Sequence, residues 1–391
     1  MRILQMNPAF YPAMAYGGTV EVAYQLSREL ARRGHQVTVY TSDTLDKYHR
    51  QRSKISEIDG IRVYYFRNFS NALAWHRLIF TPGMLLQLRK EARNFDVIHL
   101  HGSRNFQNIV VHHYAKKYGI PYVLQAHGSL PRIMAKQRLK RVFDVLWGYR
   151  ILSDAAKVIA VTQMEVEQYK SMGVSEDKIE IVPNGIDLTE FDNLPQRGEF
   201  RRKHGLDDSQ KIVLYLGRIH KIKGLDLLAM AFDELAKEID NIKLVIVGPD
   251  DGYLPALKEL ISELGIEELV LLTGPLYGED KLTAYVDADV YVLPSVYETF
   301  PVAVLEAGAC GTPVIVTDRC GIADVIDGQA GLAVPYNEEQ LSSAILRMLS
   351  DNTMSREFSE KGSLLVREQF NWEKIAEQIE NLYLSCLSSS C

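Results

Sequence analysis

Short runs of β-branched and other apolar residues alternate along the chain with longer stretches in which apolar positions recur every three or four residues. The short runs, at 2–6, 36–41, 61–66, 97–101, 121–125, 157–161 and 178–182, predict strands, as do 212–216, 243–247, 270–272, 290–293 and 313–316 further on. The longer stretches predict amphipathic helices. One is "TVEVAYQLSRELARRGH", which ends at Gly34, a residue suited to a helix C-terminus. Continual strand–helix alternation predicts parallel sheets covered on both faces. The pattern occurs twice, on either side of the polar stretch "DLTEFDNLPQRGEFRRKHGLDDSQ". The expectation is therefore two Rossmann-like α/β domains, 1–186 and 211–371, joined by a linker at 187–210, with a last helix over about 372–391. No internal repeat or low-complexity segment stands out.

Open α/β sheets bind ligands beyond the carboxyl ends of their strands, so the residues just after each predicted strand carry the functional question. They include Gly17-Gly18, His127-Gly128, Arg218 and Glu298. "GRIHKIKG", residues 217 to 224, joins a strand to a helix. Its end glycines allow close backbone approach, and Arg218 and Lys223 at a helix N-terminus suit a diphosphate. "YETFPVAVLEAGACGTPVIV" sets Glu298 and Glu306 eight residues apart, with a helix expected to start at Thr299 to Pro301. Thr299 suits a cap and Pro301 a first-turn position. Eight residues turn a helix by roughly 800°, about 80° beyond two full turns, so both carboxylates can face one cleft from different depths. A carboxylate there accepts paired sugar hydroxyls. Solvated loop or ion-pair roles remain the alternatives for both glutamates.

"VPNGID" reads as a turn at the domain border, and "HLH", residues 99 to 101, as hydrogen-bonded structural histidines rather than metal ligands. Asp287 and Asp289 mimic a metal-binding pair but enter a strand at the wrong sheet end, so they read as structural. Patterns of P-loop nucleotide hydrolases, dinucleotide enzymes, serine hydrolases and zinc proteases are missing.

Composition adds a charge asymmetry. The 391 residues exceed what one core usually supports, and 47% hydrophobic with 24% charged is ordinary for a soluble protein. Net charge is -6, yet residues 1 to 150 carry 23 Lys/Arg against 9 Asp/Glu. The excess peaks in "RIMAKQRLKRVFDVLWGYRIL", residues 132 to 152, where Ile133, Leu139, Val142, Phe143, Leu146 and Trp147 recur near helical spacing. Such a helix either lies on an anionic membrane or presents a solvated basic face while packing into a core. Nothing accompanies it that would suit nucleic acid. The four cysteines show no paired spacing, which together with the lack of a signal-like start predicts a reduced, cytoplasmic protein.

With these residues in place, the chain resembles the retaining glycosyltransferases of family 4, which have the GT-B fold. The resemblance spans nearly the whole length. It rests on "AYGGTVEVAYQLSRELARRGHQVTVYT", "VIHLHG", "LQAHG", "VPNGID", "LGRIHKIKG" and "YETFPVAVLEAGACGTPVI". It implies two Rossmann-like domains facing across a deep cleft, the first binding the acceptor and completed by the C-terminal helix, the second binding a nucleotide-sugar donor. Residue by residue, it implies that Gly17 and Gly18 approach the donor's phosphates and sugar, and that His127 contacts the transferred sugar. Arg218 and Lys223 match the cations on the diphosphate. Glu298 matches the residue on the sugar hydroxyls, Phe300 to Val302 the backbone near sugar and phosphate, Glu306 the residue on the ribose, and Leu276 and Tyr277 the backbone at the base. Two departures are local: Thr299-Phe300-Pro301 stands where the family often has Gly-Phe-Gly, and Gly248-Pro249-Asp250 where it has Gly-x-Gly.

The implied activity is transfer of a hexose-type sugar from a UDP- or GDP-sugar to a glycan or lipid-linked acceptor, for cell-surface polysaccharide, glycolipid or protein-glycan assembly. No cofactor or obligatory metal is expected, and membrane contact would run through 132–152. Rivals are a nucleotide-sugar epimerase or a phosphorylase on the same architecture, and a non-catalytic carbohydrate-binding subunit. No acid/base pair for the epimerase stands out in the first domain, and the four intact charged residues count against a decayed site.

Overall fold

The computed structural model describes residues 1–132 and 136–388. The chain divides into two compact units, Met1–Gly185 with Trp372–Cys391, and Ile186–Asn371. Ile133, and residues 389–391 of the expected last helix, lie outside the described residues.

The first unit holds an eight-stranded sheet: β1 (Arg2–Met6), β2 (Gln36–Ser42), β3 (Ile55–Ile58), β4 (Ile61–Phe66), β5 (Val97–His101), β6 (Tyr122–Gln125), β7 (Lys157–Ala160) and β8 (Ile179–Ile181). Their order is β3-β4-β2-β1-β5-β6-β7-β8. All pairings are parallel except β3 with β4, a hairpin turned by Asp59-Gly60. The second unit holds β9 (Lys211–Leu216), β10 (Ile242–Val247), β11 (Val270–Gly274), β12 (Val290–Leu293), β13 (Val314–Thr317) and β14 (Gly331–Val334). They form a parallel sheet in the order β11-β10-β9-β12-β13-β14. In each sheet the first strand lies between two later ones, β1 between β2 and β5 and β9 between β10 and β12. The connections therefore diverge there, opening the crevice in which such sheets bind ligands.

Two strands, β3 and β14, escape the hydrophobic pattern. β3 is a solvent-washed edge whose sequence is only half apolar, with no fully buried position. β14 starts at Gly331, where an added Cβ would lie 1.7 Å from the Val314 carbonyl oxygen, so the pairing itself demands the glycine that hides the strand.

Residues 187–210, expected as a linker, belong to the second unit. Phe191 and Phe200 are buried in its core, and Asp287 accepts from the backbone N–H groups of Gly198 and of Arg201, the latter at 2.9 Å. The polar sequence conceals two aromatic anchors and a carboxylate cap. Asp289 likewise takes the Ile212 N–H at 2.8 Å and pairs with Arg201, so both aspartates are structural.

The helix Trp372–Ser388 packs in the first unit, where Trp372, Ile375, Ile379, Leu382 and Tyr383 share a core with Ile3, Val22, Leu26, Val37 and Val182. Arg33 pairs with its Glu380 at 2.7 Å.

The basic stretch is a nearly continuous helical run, Gln137–Phe143, Asp144–Gly148 and Tyr149–Asp154, the middle segment a π-helical turn. Its last turns pack Ile151 and Leu152 into the core, but the turns before them have the reverse sidedness. Inward lies buried Asp144, which accepts from Arg104 Nε at 2.7 Å and Arg132 Nε at 2.8 Å. Outward lie Leu139, Val142, Leu146 and Trp147, at 40–55% exposure. The core-packing alternative for these four residues is thereby overturned.

Full burial of a large apolar side chain contributes about 1.5–3 kcal/mol. Five of them on the C-terminal helix equal the whole ~5–15 kcal/mol stability of a typical domain. Truncation after Asn371 is accordingly expected to unfold the first unit. Hydrogen exchange should find β1 and β2 unprotected in the truncated chain; protection at the full-length level would contradict this.

Candidate active site

In the second unit the loops after β9 and β12 lie in direct contact. β9 leads to Gly217, whose N–H donates to Val247 at 2.9 Å, and to Arg218, whose carbonyl accepts from Tyr215 Oη at 2.8 Å. A short 3-10 turn, Lys221–Lys223, then delivers the chain to Gly224 and the helix Leu225–Ala236. Gly224 has φ +67°, and an added Cβ would lie 1.9 Å from the Pro294 carbonyl oxygen beyond β12. Only glycine permits both the left-handed backbone and the approach. The Val296 N–H closes the contact by donating to the Ile222 carbonyl at 2.9 Å. Gly248, after β10, plays the same part lower down: its Cβ would lie 1.8 Å from the Gly217 carbonyl oxygen.

This contact brings Lys223 against Glu298, and the two form a largely buried ion pair. Arg218 stands at the rim, 63% exposed, and pairs with Asp251 at 2.5 Å. The helix Val302–Ala309 follows, with Pro301 at its N-cap and no side-chain cap. The helix thus starts one position later than the expected Thr299 to Pro301. Pro301 is extended, with φ -82° and ψ 111°, and the Thr299 hydroxyl bonds Tyr297 Oη at 3.1 Å instead of capping. Glu306 sits in the second turn and accepts from Lys281 Nζ at 2.8 Å and Tyr285 Oη at 2.9 Å. Burial lowers the Lys281 pKa, but the Glu306 charge and hydrogen bond outweigh it and raise the ammonium above its ordinary value. Leu276 and the exposed Tyr277 form the loop between β11 and the helix Gly278–Asp287 that carries Lys281. Phe300 leans on Phe370, ring centroids 5.9 Å apart, and Val302 is the first helical residue.

The first unit holds the other expected residues at its own switch point. Gly17, with φ +89°, is the N-cap of the helix Gly18–Arg32 in the connection after β1. His127 follows β6 with φ +51°, a left-handed conformation that costs a non-glycine residue about 1–3 kcal/mol. Its Nε2 lies 3.0 Å from His101 Nδ1. His101 Nε2 lies 2.7 Å from Gln5 Oε1, and His99 Nδ1 2.7 Å from Tyr383 Oη. His99 and His101 are structural, and among the described residues no group of three or more His, Cys, Asp or Glu is arranged to hold a metal ion.

Two family models match: Glycosyltransferase Family 4 over residues 16–190 and Glycosyl transferases group 1 over residues 196–365. An uncharacterized glycosyltransferase of Methanocaldococcus jannaschii is 31% identical over 389 residues, covering 95% of each chain. The chain belongs to glycosyltransferase family 4. The enzyme is also 26% identical to alpha-monoglucosyldiacylglycerol synthase of Streptococcus pneumoniae, covering 100% of this chain and 87% of that one. The UDP-glucose complex of Anabaena HepE matches the fold with TM-score 0.75 at 18% identity, over 98% of this chain and 100% of that one. The two-domain GT-B architecture expected from the sequence is thus the one the glycosyltransferase has.

Residue-type reasoning did not reach two groups in this glycosyltransferase. Lys281 holds Glu306, yet it sits 25 residues away on another helix with no local signature. Glu165 holds the His127 turn: its carboxylate accepts from Gly128 N–H at 2.6 Å and Val161 N–H at 2.9 Å. A signal existed, because Thr162 caps the helix Gln163–Ser171 through the Glu165 N–H, the first half of a capping box. The carboxylate turns instead to the neighbouring loop.

Burial pushes His127 down to about 4 and His99 to about 3, and His101 well below its ordinary 6.5. It pushes Glu165 up to about 7. Each histidine stays neutral when folded but charges when unfolded, so its contribution is complete above pH 6.5 and falls as pH drops. Glu165 works the opposite way between about 7 and 4.5 and offsets one of the three. Two net protons correspond to about 2–3 kcal/mol per pH unit. The urea midpoint of the first unit is expected to fall steeply between pH 6.5 and 5; an unchanged midpoint would contradict these shifts.

Proposed function

We propose that the enzyme transfers a hexose-type sugar from a UDP- or GDP-sugar to a lipid-linked glycan or lipid acceptor, with retention at the anomeric carbon, at the inner face of a membrane. The observation that carries the donor half is the pair of carboxylate–lysine contacts, Glu298 with Lys223 and Glu306 with Lys281, on either side of one helix start. Glu298 meets the sugar hydroxyls and Glu306 the ribose hydroxyls. Lys223, Arg218 and the N–H groups that open the helix Val302–Ala309 meet the diphosphate between them. Gly17 and Gly18 approach the donor from the first unit, His127 faces the transferred sugar, and the backbone at Leu276 and Tyr277 meets the base. The HepE complex with UDP-glucose supports a nucleotide-sugar as donor.

In the reaction the bond from the anomeric carbon to the diphosphate breaks and the bond to the acceptor oxygen forms on the same face. The acceptor's proton passes to the departing diphosphate oxygen. Charge builds on the leaving group, and fixed cations and N–H dipoles stabilise it without reorganising. Removing one such donor costs about 100-fold or more in turnover. Arg218→Ala and Lys223→Ala should each lose that much, and wild-type turnover in either would remove the diphosphate role. A nucleoside diphosphate at 100 times its Kd adds about 2.7 kcal/mol of stability. UDP or GDP should therefore raise the melting temperature where the monophosphates do so less, and no shift with either diphosphate contradicts the donor class.

The acceptor half rests on the first unit. No Asp or Glu occurs between residues 97 and 143, and the basic helical run turns Leu139, Val142, Leu146 and Trp147 outward. Lys136 Nζ donates to the His76 carbonyl at 3.3 Å, tying this run to a second exposed apolar segment with Phe69, Trp75 and Leu86. Outward apolar residues among cations suit an anionic bilayer surface. The lipid product named in the pneumococcal relative supports a lipid acceptor. No helix among the described residues is long and apolar enough to cross a membrane, so contact would be peripheral. Co-sedimentation with anionic vesicles is expected, weakened by Leu146→Glu and by removing anionic lipid. Equal recovery with and without vesicles would remove the membrane.

A further inference from the structure

Lys281 and Tyr285 lie four residues apart on the helix Gly278–Asp287, and so on one face of it. Lys281 Nζ donates to Glu306 Oε1 at 2.8 Å, and Tyr285 Oη to Glu306 Oε2 at 2.9 Å. Each carboxylate oxygen therefore carries one donor of its own. A carboxylate has about four acceptor positions, so each oxygen keeps one for a further donor. The two donors are themselves held. The Tyr285 ring is fully buried, meets the Tyr291 ring edge-on with centroids 5.8 Å apart, and its backbone carbonyl accepts from Thr312 Oγ1 at 2.7 Å. Burial raises the Tyr285 pKa well above its ordinary value, so the phenol keeps the proton it donates. Lys281 Nζ also lies 3.7 Å from Glu190 Oε2, on the 3-10 turn Leu188–Phe191, so part of the segment expected as a linker reaches the same lysine. A glutamate side chain left to rotate is ordered only when its ligand arrives, which weakens binding. Here the ordering is done in advance.

We infer that Lys281 and Tyr285 are positioning residues that hold the Glu306 carboxylate ready for the ribose hydroxyls, and so set the enzyme's preference for ribonucleotides over 2′-deoxyribonucleotides. The inference rests on the proposed place of Glu306 at the ribose and adds the residues that make that contact selective. Each acts through Glu306 rather than on the nucleotide. Only the contact with the ribose hydroxyls depends on how that carboxylate is turned. Loss of either donor therefore weakens the ribonucleotide and spares its deoxy counterpart, whereas general damage to the site weakens both alike.

Titration calorimetry of the full-length protein with UDP and 2′-deoxy-UDP, or with the guanosine pair where GDP binds more tightly, reads this preference as a ratio of Kd values. The wild type should favour the ribonucleotide about 10- to 100-fold, the worth of a hydrogen bond to a charged group. Tyr285→Phe, which keeps the ring in the core, and Lys281→Met should each lower the ratio about 3- to 10-fold, the worth of one ordinary hydrogen bond. Affinity for the 2′-deoxy nucleotide should stay at the wild-type level, which also shows that the variants are folded. Lys281→Arg, which keeps a cation and its donors, should recover most of the ratio. In turnover, Tyr285→Phe and Lys281→Met should raise the donor KM with kcat little changed, as loss of a contact made equally before and during reaction requires. Glu306→Ala should bring the ratio near one, and an unchanged ratio there overturns the ribose reading and this inference with it. A ratio lost in Glu306→Ala but kept in both Tyr285→Phe and Lys281→Met overturns the inference alone. Equal weakening of both nucleotides in these two variants also overturns it, since the residues would then support the site as a whole.

Discussion

Everything in the second unit's site depends on two backbone segments touching where a side chain cannot fit. Gly224 lies so close to the Pro294 carbonyl that a methyl group would overlap it, and Gly248 makes the same demand on Gly217. These approaches draw the loops after β9 and β12 together at the switch point of the sheet, which sets Lys223 beside Glu298. A cation and a carboxylate held in contact there, each largely shielded from water, are each other's hydrogen-bond partner. In the proposed reaction the donor takes over both, its phosphate claiming the lysine and its sugar hydroxyls the glutamate.

The first unit is built on the opposite principle. There, neutrality is enforced: three imidazoles are buried in one hydrogen-bonded run, and desolvation keeps them uncharged. Glu165, pushed up by burial but supplied with two backbone donors, holds the His127–Gly128 turn in a left-handed conformation. Among the candidate site residues, ion pairs thus gather where the diphosphate is proposed to bind, and uncharged imidazoles behind the residue proposed to meet the sugar.

Most of this architecture was legible because parallel sheets make strands that are continuous apolar runs. Twelve runs led to twelve strands; β3 and β14 were hidden, one by its wet edge and one by the glycine its neighbour requires. The candidate residues Glu298 and Glu306 are legible through their places after a strand and within the next helix. Their partners are not, because Lys281 and Tyr285 arrive from a helix distant in sequence, and only the fold brings them near. The linker at 187–210 was misjudged because its polarity outweighs two aromatic anchors. The basic run at 137–154 was ambiguous for a different reason. Helical periodicity reports that an apolar face exists, not which way it turns, and here buried Asp144 turns it outward.

The central claim is that the two glutamates are handles on one donor with cations between them. A crystal structure of the protein grown with UDP or GDP addresses it most directly. The account predicts ribose hydroxyls within hydrogen-bond distance of Glu306 and diphosphate oxygens on Lys223 and Arg218. A nucleotide bound away from the helix Val302–Ala309, or with its diphosphate out of reach of both cations, would contradict it.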